Sequence, residues 1–404
     1  MNKSDLSRNL YMLKGPLAKE GYDWWWHNFT GYNTKTGEAK AFFVEYFVCN
    51  PALGGEKAIL GQLTENIKNE VKPSYALIKV GVWGENAKQI HNFYPINAFS
   101  SDENILNVKI GECTLTEKHI EGHCRVTPED AKDHPEYMCD AGQMSWKLSV
   151  DKKITYNVGL GASKSLRNLN AFEMFWHAEG IKTEYSGIVV LDGEVYDVIP
   201  EKSYGYADKN WGKDFTSPWL WISSCNIKSL ITNKTLTNSA VEVGGGKPKV
   251  LGVALDRKIL VALYYEGKMY EYNFSKFWEK SNVEFGFTEG EKINKWFVNS
   301  SNSDSIMELT LECPKSEMLL INYEAPNGKK LHNRLWNGGT GYGEIKLYEK
   351  KALKKFLLII WKLEIPAVSM ENILNKNKEF FAYEVLLYFL HLYLILLFNK
   401  TICI

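Results

Sequence analysis

The chain has 404 residues, long enough for two or three domains and a large buried core, and its 48 basic residues balance 48 acidic ones. A neutral chain without blocks of like charge carries no footprint for nucleic acid or for an anionic membrane, so nothing in its composition suggests electrostatic binding to either. Its 13 Trp, 22 Tyr and 19 Phe, set among many short β-like runs, point instead to an all-β protein with an aromatic-lined interior.

Residues 1–20 read as a polar lead-in without the apolar stretch of a signal peptide, and the seven cysteines are odd in number and scattered. A reducing cytoplasm with free thiols is the expectation. Trp24 to Tyr32 then reads as a strand, Asn33 to Gly37 as a turn and Ala41 to Val48 as the return strand. Glu45 interrupts that apolar run, so it marks either a sheet edge or a carboxylate turned into a cavity. Further runs with a period near two follow at Tyr75–Trp83, Asn107–Ile110, His119–Val126 and Met144–Val150. Leu160 to Asn170, rich in Gly, Ser and Asn, reads as a linker and places a boundary near residue 165.

The second half repeats the pattern. Asp192-Gly193 and Glu266-Gly267 are tight-turn signals between alternating segments, and short runs continue to Gly343–Tyr348. This spacing fits antiparallel barrels or sandwiches rather than a parallel sheet with crossover helices. After Lys351 the style changes: Leu353 to Trp361 is rich in lysine and leucine, and Val385 to Phe398 is apolar apart from His391. That last run falls short of the roughly 20 residues a helix needs to cross a bilayer.

The densest chemistry lies between Tyr204 and Trp221, where Asp208, Lys209 and Asn210 sit among Tyr206, Trp211, Trp219 and Trp221. A carboxyl held among aromatic rings has its charged form disfavoured and stays a proton donor near neutral pH. Composition leaves this stretch balanced between such a site and a structural turn. Trp176, His177 and Glu179 form a second group; in an extended chain His177 and Glu179 share one face, either an exposed polar one or one turned toward Asp208. The cysteines and histidines from Cys113 to Cys139 lack Cys-x-x-Cys spacing, so no metal is expected. No Gly-x-Ser-x-Gly elbow appears, and Gly244-Gly245-Gly246 lacks the following helix of a phosphate loop.

These elements, in this order, resemble the tocopherol cyclase family, which is related to carotenoid hydratases and more distantly to lipocalin-like proteins. The tryptophan-rich strand is followed by Val48-Cys49-Asn50-Pro51 and by Phe172-Glu173-Met174-Phe175-Trp176. Next come Ser203 to Gly212 with Trp219-Leu220-Trp221, the glycine triplet, Tyr265 to Glu271 and Tyr342 to Leu347. The resemblance covers roughly residues 20–350, and Asp208-Lys209-Asn210-Trp211-Gly212 is its most diagnostic element.

The resemblance implies two tandem lipocalin-like antiparallel β-barrels, over residues 21–165 and 166–350, enclosing an apolar cavity for a hydrophobic small molecule. It implies cyclisation of a prenylated hydroquinone to a chromanol with no cofactor. Asp208 would protonate the prenyl double bond with Tyr206 as its partner, matching the Tyr-x-Asp pair of the hydratases, while plant-type cyclases carry glutamate at the place of Asp208. Trp211, Trp219 and Trp221 would shield the cation; Trp176, His177, Glu179 and Glu45 would flank the ligand; Lys209, Asn210 and Gly212 would fix the loop. Peripheral contact with a membrane would deliver the substrate. The alternatives are a non-catalytic carrier of an isoprenoid or lipid, and a hydratase of an isoprenoid double bond. The tail departs from the family, whose members similar to this one finish with Glu-Tyr-Gly. Codons for Ala367 to Asn372, read one register over, can give Cys-Glu-Tyr-Gly-Lys, so residues 351–404 are expected to be a frameshift product rather than an evolved anchor.

Overall fold

The computed structural model describes residues 6–158, 164–276, 279–329, 331–351, 354–365 and 367–371. Among them the architecture is the expected all-β one, with antiparallel sheets and a few short helical turns.

The first predicted hairpin forms as the strands Tyr22–Asn33 and Ala39–Cys49, paired antiparallel from Tyr22 opposite Cys49 to Tyr32 opposite Ala39. Both faces of the first strand are covered, which explains why three tryptophans run together instead of alternating with polar residues. Trp25 and Phe29 enter one apolar core, while Trp26 enters a second core on the other face. Twelve strands between Tyr22 and Gly212 make up this sheet. It curls until the edge strand Lys88–Tyr94 meets His119–Val126, where the Asn92 side chain accepts from the Arg125 amide at 3.0 Å and donates to its carbonyl at 2.8 Å. The Asn92 amide thus imitates a strand neighbour at this junction, beside the Cys124 thiol, which donates to the Ile90 carbonyl at 3.4 Å.

Gly205–Gly212 is a strand, whereas the sequence suggested a loop held by Lys209, Asn210 and Gly212. It is gripped on both sides, by Tyr22–Asn28 and by Met174–Thr183, and all eight of its residues are buried. Gly212 is needed for that grip, because a Cβ there would run into the Glu173 carbonyl. The neighbouring strand bulges beside it, since His177 pairs with Lys209 but Gly180 pairs with Ala207. Ala178 and Glu179 therefore stand opposite the single residue Asp208.

From Trp219 the chain builds two further antiparallel sheets, of seven and six strands, around a third core that includes Val241, Val261, Trp296 and Leu309. The strands that follow residue 165, Met174–Leu191 and Gly205–Gly212, belong to the first sheet, and the change of sheet falls between Gly212 and Trp219. Lys354–Ile365 and Ala367–Glu371 also form strands here, the latter between Trp219–Ser224 and Leu331–Gly338. Sheet structure thus continues past the expected break at Lys351, as the β-rich sequence of that segment favours. The apolar run at 385–398 lies outside the described residues. No helix among the described residues is long and apolar enough to cross a membrane.

Candidate active site

Alternation along Gly205–Gly212 decides what each residue can do. Tyr206, Asp208 and Asn210 share one face; Ala207, Lys209 and Trp211 take the other. The first face meets a cavity of about 160 Å³. Trp24, Trp26, Trp176, Trp219 and Trp221 wall it, and Asp208 and Asn210 supply polar groups.

Asp208 is only 5% exposed. Its Oδ2 accepts from Trp176 Nε1 at 2.9 Å and from the Tyr206 hydroxyl at 3.1 Å. Its Oδ1 has no hydrogen-bond partner among the described residues. Burial pushes the carboxyl up from 3.8 to about 7; the two hydrogen bonds pull against that shift, and the Glu179 and Glu45 carboxylates reinforce it. A carboxylic acid with one oxygen saturated by donors carries its proton on the other, and that oxygen is the one left free.

Behind Asp208 stands a carboxyl that sequence reasoning missed. The Tyr206 hydroxyl also lies 3.1 Å from Oε1 of Glu242, which accepts from Trp221 Nε1 at 2.8 Å. Glu242 is completely buried, and that burial holds its carboxyl well above the usual range. Burial also keeps the Tyr206 phenol protonated. One phenolic proton cannot serve two carboxylates, so a protonated Glu242 donating to the phenol oxygen leaves Tyr206 free to donate to Asp208. The available signal was Glu242 within the apolar run Ala240-Val241-Glu242-Val243, the same kind of interruption that drew attention to Glu45.

Trp176, Trp219 and Trp221 lie in the cavity wall together with Trp24, Trp26 and Tyr323. Gly244 makes room for Trp176, since a Cβ there would lie 2.7 Å from the indole ring. Trp211 does not line the cavity: alternation turns it to the reverse face, where it stacks on Phe175 with centroids 5.4 Å apart. Lys209 also points to the reverse side, ion-paired with buried Asp23 and 3.9 Å over the Trp25 ring. His177 lies there too, its imidazole pushed down to about 3 by burial and the cations Arg8, Lys152, Arg167 and Lys209, so it is neutral. Glu179 pairs with Lys152. Glu45 is set behind the cavity, accepting from the Tyr323 hydroxyl at 2.8 Å and lying 3.4 Å from Lys79 Nζ. These residues were expected beside the ligand, but the two-residue period places His177 and Glu179 beyond the strand, and Tyr323 screens Glu45.

Comparison with known proteins identifies the family. The family model described as "Tocopherol cyclase-like" matches residues 48–365. A 105-residue stretch is 33% identical to "Probable tocopherol cyclase, chloroplastic" of Oryza sativa subsp. japonica and 31% identical to "Tocopherol cyclase, chloroplastic" of Zea mays. Each alignment spans 25% of this chain and 20% of the plant protein. Among solved structures, an AttH-type protein of Nitrosomonas europaea aligns over 88% of this chain and 97% of its own, at 12% identity and a TM-score of 0.43. CghA with Sch210972 aligns over 87% and 89%, at 10% identity and 0.40. With most of its length matched by one family, the chain belongs to the tocopherol cyclase-like proteins.

Proposed function

We propose that the protein is an acid-catalysed cyclase that converts a prenylated hydroquinone to a chromanol. The observation that carries this reading is the unpartnered Oδ1 of a carboxyl pushed up to about 7, at the wall of an aromatic cavity. Oδ1–H of Asp208 adds its proton to the less substituted carbon of the prenyl double bond. The tertiary carbocation forms against the faces of Trp24, Trp219 and Trp221, whose π electrons stabilise it without supplying a base or nucleophile. The substrate's phenol oxygen attacks that carbon and closes the ring, and the phenolic proton returns to the Asp208 carboxylate. Atoms balance as an isomerisation with no electron acceptor. While Asp208 is ionised, hydrogen bonds from Tyr206 and Trp176 hold its charge, and protonated Glu242 keeps the Tyr206 proton directed at it.

Purified protein incubated in D2O with a prenylated hydroquinone should yield chromanol carrying one deuterium at the protonated carbon. Asp208→Asn should bind the substrate and form chromanol slower by about 10²–10⁴-fold. A tertiary alcohol, heavier by one water, would indicate a hydratase, and tight binding without turnover in the wild type would indicate a carrier.

A further inference from the structure

We infer that the hairpin Lys249–Ala254 is a membrane-docking element that seats the cavity mouth on an anionic lipid surface. The hairpin pairs Lys249 with Ala254 and Val250 with Val253, leaving Leu251 and Gly252 as its two-residue tip, both at positive φ (50° and 84°). Tips of this geometry favour Asn-Gly or Asp-Gly, because a bulky residue in the left-handed region is strained. Here a leucine occupies the strained position and is 72% exposed, with Val253 52% exposed beside it. Leu169 is 53% exposed on the segment next to the hairpin, whose Ala171 carbonyl accepts from Leu251 N at 2.7 Å. Nothing in the fold is gained by presenting these side chains to water.

Two further observations identify what covers them. The hairpin is part of the mouth: Val250 bridges to Phe172, and both Phe172 and Pro248 line the cavity. Beside it Lys213, Lys247 and Arg257 are exposed against one exposed acid, Asp256, while Lys249 is ion-paired with Glu173. The balanced total charge of the chain conceals this local excess. An apolar tip ringed by cations matches an anionic bilayer, into which Leu251 and Val253 insert while the cations meet headgroups. The inference rests on the reading that the cavity takes an apolar isoprenoid, which would then pass from the bilayer without crossing water.

The test is co-sedimentation of the full chain with phosphatidylcholine vesicles and with phosphatidylcholine–phosphatidylglycerol vesicles. Binding is expected to the mixed vesicles, to weaken in salt, and to be lost in the Leu251→Asp, Val253→Asp double variant. Lys247→Gln and Arg257→Gln should each weaken partition about fivefold, as expected for one basic residue near an anionic surface. Both variants should turn over a detergent-dispersed substrate at the wild-type rate. If they do so but lose turnover of substrate embedded in vesicles, the docking role is supported. No vesicle binding by the wild type, equal binding to both lipids, or unchanged binding by the double variant overturns it; the last result would place membrane affinity elsewhere in the chain. Failure of the cyclase reading would appear separately, as absent turnover in detergent with partition intact.

Discussion

The indole nitrogen of Trp176 lies 2.9 Å from Oδ2 of Asp208, across neighbouring strands of one sheet. This contact fixes which carboxyl oxygen is occupied and which is left without a partner. It also opposes the effect of burial, so the acid strength of Asp208 is a balance between two tendencies that mutation can separate.

The first prediction concerns pH. The proton-donating form of Asp208 is present below its value of about 7 and lost above it. Turnover should therefore be level in mildly acidic buffer and fall about tenfold per pH unit above that value, and Asp208→Asn should lower it by about 10²–10⁴-fold. Stability follows the same group. Its folded value lies above the unfolded 3.8, so its support for the fold is complete at low pH and is withdrawn as pH rises through about 7. The Tm of Asp208→Asn relative to wild type should increase between pH 5 and pH 8. An unchanged difference would remove Asp208 from the set of shifted groups.

Trp176→Phe keeps an aromatic wall but deletes one donor to the ionised carboxylate. The charged form loses about 1.5–3 kcal/mol of stabilisation, so the alkaline limb of the rate profile should move upward by about one to two pH units. Maximal turnover should fall because the acid is weaker. A downward movement of the limb would contradict the assigned hydrogen bond.

Glu242 separates a neutral role from an anionic one. If it acts as an uncharged group, Glu242→Gln keeps a neutral acceptor for Trp221 at the place of Oε1, and turnover should stay within about threefold. Glu242→Ala leaves the Trp221 indole N–H without its buried acceptor and should cost about 1–3 kcal/mol in stability with a larger loss of rate. Denaturant unfolding and initial rates on both variants check this, and a glutamine variant as inactive as alanine would sink the neutral assignment.

Gly244→Ala adds one methyl 2.7 Å from the Trp176 ring. Overpacking of this kind costs about 1–3 kcal/mol, so Tm should fall. The displaced indole should also release Asp208, giving the same upward movement of the alkaline limb as Trp176→Phe. A variant with lower Tm but the wild-type pH profile would show that the ring is held by other contacts.

The all-β class was legible from alternation and turn residues, and the aromatic surroundings of the Asp208 carboxyl from the tryptophans near it in sequence. The reverse face was legible in principle, because alternation separates Asp208 from Lys209 and Trp211 once Gly205–Gly212 is known to be a strand. Its eight buried residues include Asp208, Lys209 and Asn210, a composition that reads as a loop because such groups are seldom buried without partners. The partners are distant in sequence: Asp23 for Lys209, Trp176 for Asp208, and Glu242 through Tyr206. Register between strands so far apart is a tertiary outcome that no local pattern encodes. Glu45 shows the converse, for its interruption of an apolar run marked a buried carboxylate but not that Tyr323 would stand between it and the cavity.

The walls around Asp208 come from both sides of the change in sheet: Trp24, Trp26 and Trp176 before it, Trp219, Trp221 and Gly244 after it. A chain with only its first sheet formed would carry a hydrated, ordinary aspartate, ionised and inert at neutral pH. The proton that Asp208 holds near neutral pH thus depends on the later strands closing over the carboxyl. An unfinished molecule is therefore disarmed, and the reactive proton exists only where water has already been excluded.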